Sequence, residues 1–180
     1  MLDLSQNYFE LFGLPERYAI DPAQLTERYR DLQRRLHPDR YAQASDQERR
    51  LAMQGATRVN EAHRTLKSPL ARALYLLELR GLPAEPGSAS MSPAFLMEQM
   101  ELREALAEAR HQDNPYAALS TLKQDVERRI GACVGAVGGL LDGGDPAQLD
   151  PAREAVNELR FLEKLRSEVD NLEALLDEEL

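Results

Sequence analysis

Apolar residues recur along this chain at intervals of three and four, the spacing that lines one face of a helix. Leu25, Tyr29, Leu32 and Leu36 form one such stripe, opened by Asp21-Pro22, a capping carboxylate followed by a proline suited to the first helical turn. Ala52, Ala56, Val59, His63 and Leu66 form a second, with Ser45 and Asp46 at its start and Ser68-Pro69 at its end. A short, strongly apolar helix is predicted from Leu70 to Leu79, stopped by Gly81. Ser92-Pro93 opens a helix to about His111, and Asn114-Pro115 opens another that should reach Gly138 and Gly139. Asp142 to Pro146 reads as a turn, and Asp150-Pro151 as the start of a last helix to about Leu176. Its core stripe is Ala155, Leu159, Leu162, Leu165 or Arg166, Val169, Leu172 and Leu176. No segment alternates as a half-buried strand does, so the fold class is all-α.

Pro83 to Ser90 is rich in proline, glycine and small residues and reads as a linker. The predicted organisation is therefore an N-terminal domain over 1–76, a connecting segment over 77–91 and a C-terminal three-helix bundle over 92–180.

Between the first two stripes stands His37-Pro38-Asp39. Proline disfavours helical geometry at the residue before it, so the first helix should end at His37. The ring also stiffens the corner, which then holds an imidazole and a carboxylate outward. Beside it run Arg28, Arg30, Arg34 and Arg35, mostly off the apolar stripe and diluted by Glu27 and Asp31. An exposed corner of this kind suits docking on a protein better than holding a small substrate.

Two aliphatic helices carry more apolar residues than one face needs. Phe95, Leu102, Leu106 and Ala109 suffice to pack the helix from Pro93, yet Leu96, Met97 and Met100 lie to the side, edged by Glu101, Glu104 and Glu108. An apolar strip rimmed by carboxylates is either a protein-binding surface or a wide buried face with a solvated flank. Methionine adapts readily to a partner's shape. Phe161 stands off its own stripe among Arg160, Glu158 and Lys164, as a core shoulder or an exposed anchor.

Composition adds direction. The net charge is −9, but residues 1–75 carry twelve Lys and Arg against ten Asp and Glu, whereas residues 76–180 carry ten against twenty-one. Halves at +2 and −11 suggest different partners. So acidic a chain argues against nucleic acid, whose binding rests on phosphate neutralisation. The lone Cys133 excludes an internal disulfide and fits a reducing compartment. With no apolar run of the ~18 residues that span a bilayer and no basic-then-apolar start, a cytoplasmic protein is expected, without membrane attachment.

His37, His63, His111 and Cys133 lack metal-ligand spacing, and the Gly-Gly pairs at 138 and 143 lack the Lys-Ser/Thr of a phosphate loop. No nucleophile has an evident base beside it. The expectation is a protein that is not an enzyme and takes no metal or cofactor.

These motifs carry a resemblance. His37-Pro38-Asp39, the opening Tyr8-Phe9-Glu10-Leu11-Phe12-Gly13-Leu14, the basic helix Leu25–Leu36, and Asn60-Glu61-Ala62-His63 with Leu66 are together similar to a J-domain, the module that stimulates ATP hydrolysis by DnaK-class chaperones. The stretches from Ala94 to Glu104 and from Leu159 to Leu165 resemble the C-terminal domain of HscB-type iron–sulfur co-chaperones. The resemblance implies contact with an HscA-like chaperone through His37, Pro38 and Asp39, with Arg28, Arg30, Arg34 and Arg35 as the basic docking face. It also implies that the iron–sulfur scaffold protein IscU is held by Leu96, Met97, Met100, Glu101, Glu104, Glu108 and Phe161. His63 departs from the usual aromatic, Arg40 from lysine and Met100 from leucine; Gly131 to Gly144 does not resemble the family's middle helix. The cysteine pairs that bind zinc in some eukaryotic relatives are absent. Two rivals stand beside this reading: a general J-domain protein whose bundle binds unfolded clients, and an interaction protein whose His-Pro-Asp is incidental.

Overall fold

A computed structural model describes residues 3, 5–41, 44–84 and 92–178, and those residues form helices and turns with no strand. The chain divides into two compact units, Met1–Leu79 and Arg80–Leu180. Most of the segment expected as a linker, residues 85–90, lies outside the described residues.

The first unit begins with α1, Tyr8–Phe12. Five residues are too few to hold a helix by themselves, and both ends are fixed by local chemistry. The Asn7 side chain accepts the Glu10 N–H at 2.9 Å while Glu10 Oε2 accepts the Asn7 N–H at 2.8 Å. Gly13, at φ 60, supplies the left-handed residue that ends the turn. Phe9 and Phe12 are buried against the rest of the unit, and Tyr8 stacks on Tyr75, whose hydroxyl accepts the Tyr8 N–H at 3.0 Å. α2, Pro22–Leu36, starts where Asp21 accepts the Ala23 N–H. α3, Asp46–Lys67, starts on a Ser45–Glu48 capping box, and α4, Pro69–Leu79, follows one bend later. Residues 77–79 thus continue a helix, with Leu77 fully buried.

α2 and α3 form the hairpin that the two stripes imply. Leu25, Leu32 and Leu36 of α2 and Ala52, Val59 and Leu66 of α3 are buried, joined by Gly55 and Ala62, which the stripe did not include. Tyr29 and His63 close the edge of this core by stacking flat, 3.9 Å apart and 12° from parallel. Burial, followed by the Lys67 charge, holds the His63 imidazole below its ordinary pKa, so it packs as a neutral ring.

The second unit contains α5, Pro93–Ala109, α6, Pro115–Asp142, and α7, Leu149–Glu178. Ser92 and Asn114 cap the first two through the N–H groups of Phe95 and Ala117. α6 reaches Gly138 and Gly139 as expected and runs on to Asp142, because Val137 and Leu141 are completely buried and anchor the turns around the glycines. α7 opens at Leu149, after a 3-10 turn at Pro146–Gln148 capped by Asp145, rather than at Asp150-Pro151. Its core stripe includes Ala152, Val156 and Asn157 together with Leu159, Leu162, Leu165 and Val169, while Ala155 is only half-buried. Lys123 ties the start of α6 to the end of α7 through Asp170 at 2.7 Å and Glu173 at 3.0 Å, which raise its pKa above the usual lysine value. The Cys133 thiol is buried and donates to the Ala155 carbonyl at 3.2 Å. Burial, then the nearby Glu158 charge, pushes its pKa up to about 12, so it is a packed thiol and not a reactive one.

Gly131, Gly135 and Gly139 sit on the exposed side of α6, and a Cβ added at any of them meets nothing within 4 Å. Each costs roughly 0.5–1 kcal/mol of helix stability relative to alanine. Replacing each with alanine should therefore stabilise the protein by about that amount, read as a higher midpoint in thermal unfolding followed by circular dichroism. Unchanged or lower midpoints would show that this stretch is not held as a helix in solution.

Candidate protein-docking surfaces

The His37-Pro38-Asp39 corner is built as its sequence dictates. His37 leaves α2 with φ −59 and ψ 133, the extended geometry a following proline imposes. Pro38–Tyr41 then makes a 3-10 turn, closed by the Arg40 N–H on the His37 carbonyl at 3.0 Å. Tyr41 reaches back to donate to the Arg35 carbonyl at 3.4 Å. The side chains of His37 and Asp39 are 59% and 89% exposed. Neutral His37 accepts the Asp39 N–H through Nδ1 at 3.3 Å; when protonated, the same nitrogen meets Asp39 Oδ2 at 3.4 Å. Neither contact buries the pair, and both groups remain available to a partner.

The four arginines of α2 do not share one face. At about 100° per residue, Arg30 and Arg34 lie together on the outward side of α2, away from the buried stripe of Leu25, Leu32 and Leu36, and Arg28 and Arg35 lie a quarter-turn or more around the helix from them. A groove of about 900 Å³ between α2 and α3 is lined by Arg30, Arg34, His37, Gln33 and Asn60. Tyr29 donates its hydroxyl to Asn60 Oδ1 at 2.9 Å and accepts from Gln33 Nε2, which fixes the groove's polar wall. Arg34 is already paired with Asp31. Arg28 instead reaches toward Gly13 at the end of α1, where an added Cβ would lie 3.5 Å from its Nη1. Gln33 was not singled out from sequence, and Asn60 entered only within the Asn60-Glu61-Ala62-His63 motif of the resemblance; the further signal was polar residues interrupting two apolar stripes on facing helices.

On α5, Leu96, Met97 and Met100 are 47%, 65% and 72% exposed, while Phe95, Leu102 and Ala109 face the core. Glu101, Glu104 and Glu108 are exposed beside them. The apolar strip is thus a solvent-facing surface and not a wide buried face. Phe161 of α7 is half-buried: its ring meets Phe95 edge-on at 5.8 Å and 89°, and the Arg103 guanidinium lies 5.5 Å above it. It is a shoulder of the core that also borders the strip. Around α5 the order is therefore Phe161 and Arg103 on the α7 side, then Leu96, Met100, Glu104 and Met97, then Glu108 and Glu101 toward α6.

Residues 91–170 match the family model described as the HSCB C-terminal oligomerisation domain. The co-chaperone protein HscB homologue of Cupriavidus taiwanensis is 48% identical over 176 residues, covering 96% of this chain and 95% of that protein. The homologue of Burkholderia vietnamiensis is 47% identical over 174 residues, covering 94% and 95%. Among solved structures, chaperone HscB from Vibrio cholerae superposes with a TM-score of 0.83 at 39% identity, covering 95% of this chain and 99% of that one. Human co-chaperone protein HscB gives 0.85 at 30% identity, covering 95% and 84%. An all-α chain with an N-terminal J-domain and a C-terminal helical bundle, alike in sequence and fold to these proteins over nearly its whole length, belongs to the HscB family, the J-type co-chaperones of iron–sulfur cluster assembly.

Proposed function

We propose that this protein delivers an IscU-like scaffold to an HscA-like, DnaK-class chaperone and stimulates that chaperone's ATPase. The observation that carries the proposal is the division of labour between two compact units. Each presents one largely exposed constellation, of which packing within the unit engages Phe161. On the first unit, His37, Pro38 and Asp39 with Arg30 and Arg34 meet the chaperone, and Arg28 and Arg35 add to its positive field. On the second, Leu96, Met97 and Met100 with Glu101, Glu104, Glu108 and Phe161 hold the scaffold. Binding both partners on one chain raises the effective concentration of each for the other. The accelerated chemistry belongs to the chaperone's active site, and this chain acts by positioning. With its single buried cysteine it is suited to the cytoplasm.

The test is the steady-state ATPase of the chaperone with this protein, the scaffold, or both. The expected result is stimulation that is more than additive when both are present. Stimulation indifferent to scaffold would remove the delivery reading and leave a general J-domain protein with unfolded clients. No stimulation under any condition would remove the chaperone reading altogether.

A further inference from the structure

The crease between α5 and α6 is an open trough of about 740 Å³, a volume in the range of ligand and short-peptide sites. It follows α5 from Glu101 to Ala109, about 12 Å at 1.5 Å per residue, and runs on to Gln112, Asp113 and Asn114 in the turn beyond. The α5 stretch alone is the length of roughly four residues of extended chain. Small side chains make the trough: Ala105 on α5 and Ala118 and Thr121 on α6 leave its walls low, over a floor that includes Leu102 and Leu122.

Its charge is unbalanced. Glu101, Glu108 and Asp113 line it, and none is engaged in an ion pair with a described residue. The cation lining the trough, Arg129, is already neutralised: it pairs with Glu98 and, at 2.7 Å, with Asp125, a fourth carboxylate of the lining. A neutral or anionic occupant would desolvate three carboxylates with nothing in return, whereas a cationic one supplies the missing partners.

The trough is also continuous with the surface already described. Glu101 and Glu108 belong to both, forming the α6-side margin of the apolar strip and one wall of the crease. We infer that a short lysine- or arginine-bearing segment of the scaffold lies in the α5–α6 crease while its apolar part covers Leu96, Met97 and Met100, so that the partner straddles α5. This rests on the scaffold-binding reading and extends it to α6, where Thr121 and Ala118 become contact residues.

The experiment is calorimetric titration of the full-length protein with full-length scaffold at low and high ionic strength. Thr121→Arg and Ala105→Arg each place a cation at an exposed helical position of one wall, and circular dichroism checks that both fold. The expected result is about tenfold weaker binding for each at low salt, with the gap shrinking at high salt as screening grows. A Leu96→Ala/Met97→Ala variant should be weakened at both salt concentrations. Wild-type affinity for both arginine variants, with the apolar variant weakened, would overturn the crease as a contact and leave the α5 surface standing. Wild-type affinity for all three would mean that the scaffold does not bind α5, and both readings would fall together.

Discussion

Asp39→Asn is expected to abolish stimulation of the chaperone ATPase while leaving the protein's stability and its affinity for the scaffold unchanged. The Asp39 side chain is 89% exposed, and the described residue it pairs with, His37, is 59% exposed. An amide of the same shape leaves the 3-10 turn intact, since that turn is closed by backbone through the Arg40 N–H. What the substitution removes is charge. A carboxylate desolvated against a cation on the partner loses roughly 2–5 kcal/mol when one side of the pair is removed, which is 30-fold or more in binding or coupling. The result is read as ATPase rate against concentration of wild type and variant, alongside matched thermal unfolding curves. A variant that stimulates as well as wild type would make the exposed corner an ordinary turn. Loss of stimulation accompanied by loss of fold would contradict the geometry, because nothing in the turn depends on the Asp39 carboxylate.

Much of this was legible in the sequence where the determinants are local. Asp21-Pro22, Ser45, Ser92-Pro93 and Asn114-Pro115 each mark a helix start that the structure keeps, because a cap needs only its own next few residues. The exposed strip on α5 was visible as an apolar surplus, since three residues stood outside a sufficient core face. What failed to show depends on other elements. The helix from Pro115 was expected to reach Gly138 and Gly139, and burial of Val137 and Leu141 carries α6 past them to Asp142; packing outweighs about 1 kcal/mol per glycine. The resemblance offered the four arginines of α2 as one basic docking face. Helical rotation splits them, leaving Arg30 and Arg34 beside His37 and the α3 groove. Phe161 was framed as shoulder or anchor, and it is half-buried on Phe95 at the margin of the strip, a position periodicity alone does not express. The α5–α6 crease is a property of two helices together, and no single stripe announces it.

The second large effect expected is on the scaffold side. Leu96→Ala/Met97→Ala/Met100→Ala should weaken scaffold binding on the order of 100- to 1,000-fold, since central apolar residues of an interface contribute about 2 kcal/mol or more each and do not add fully. The same triple change should barely move the unfolding midpoint. All three side chains are about half or more exposed in the free protein, where truncation is worth within about 0.5 kcal/mol apiece. That contrast makes this set a better probe than Phe161. Removing the Phe161 ring also removes an edge contact with Phe95 and the seat of the Arg103 guanidinium, so a binding defect there would be entangled with packing. Scaffold titrations on wild type and the triple variant, with ATPase stimulation measured in parallel, separate the two surfaces. The triple variant should retain scaffold-independent stimulation through the J-domain and lose only the gain that scaffold adds. If it binds scaffold as wild type does, the exposed leucine and methionines serve some other contact, and the delivery mechanism loses its anchor even though the chaperone-facing corner would stand.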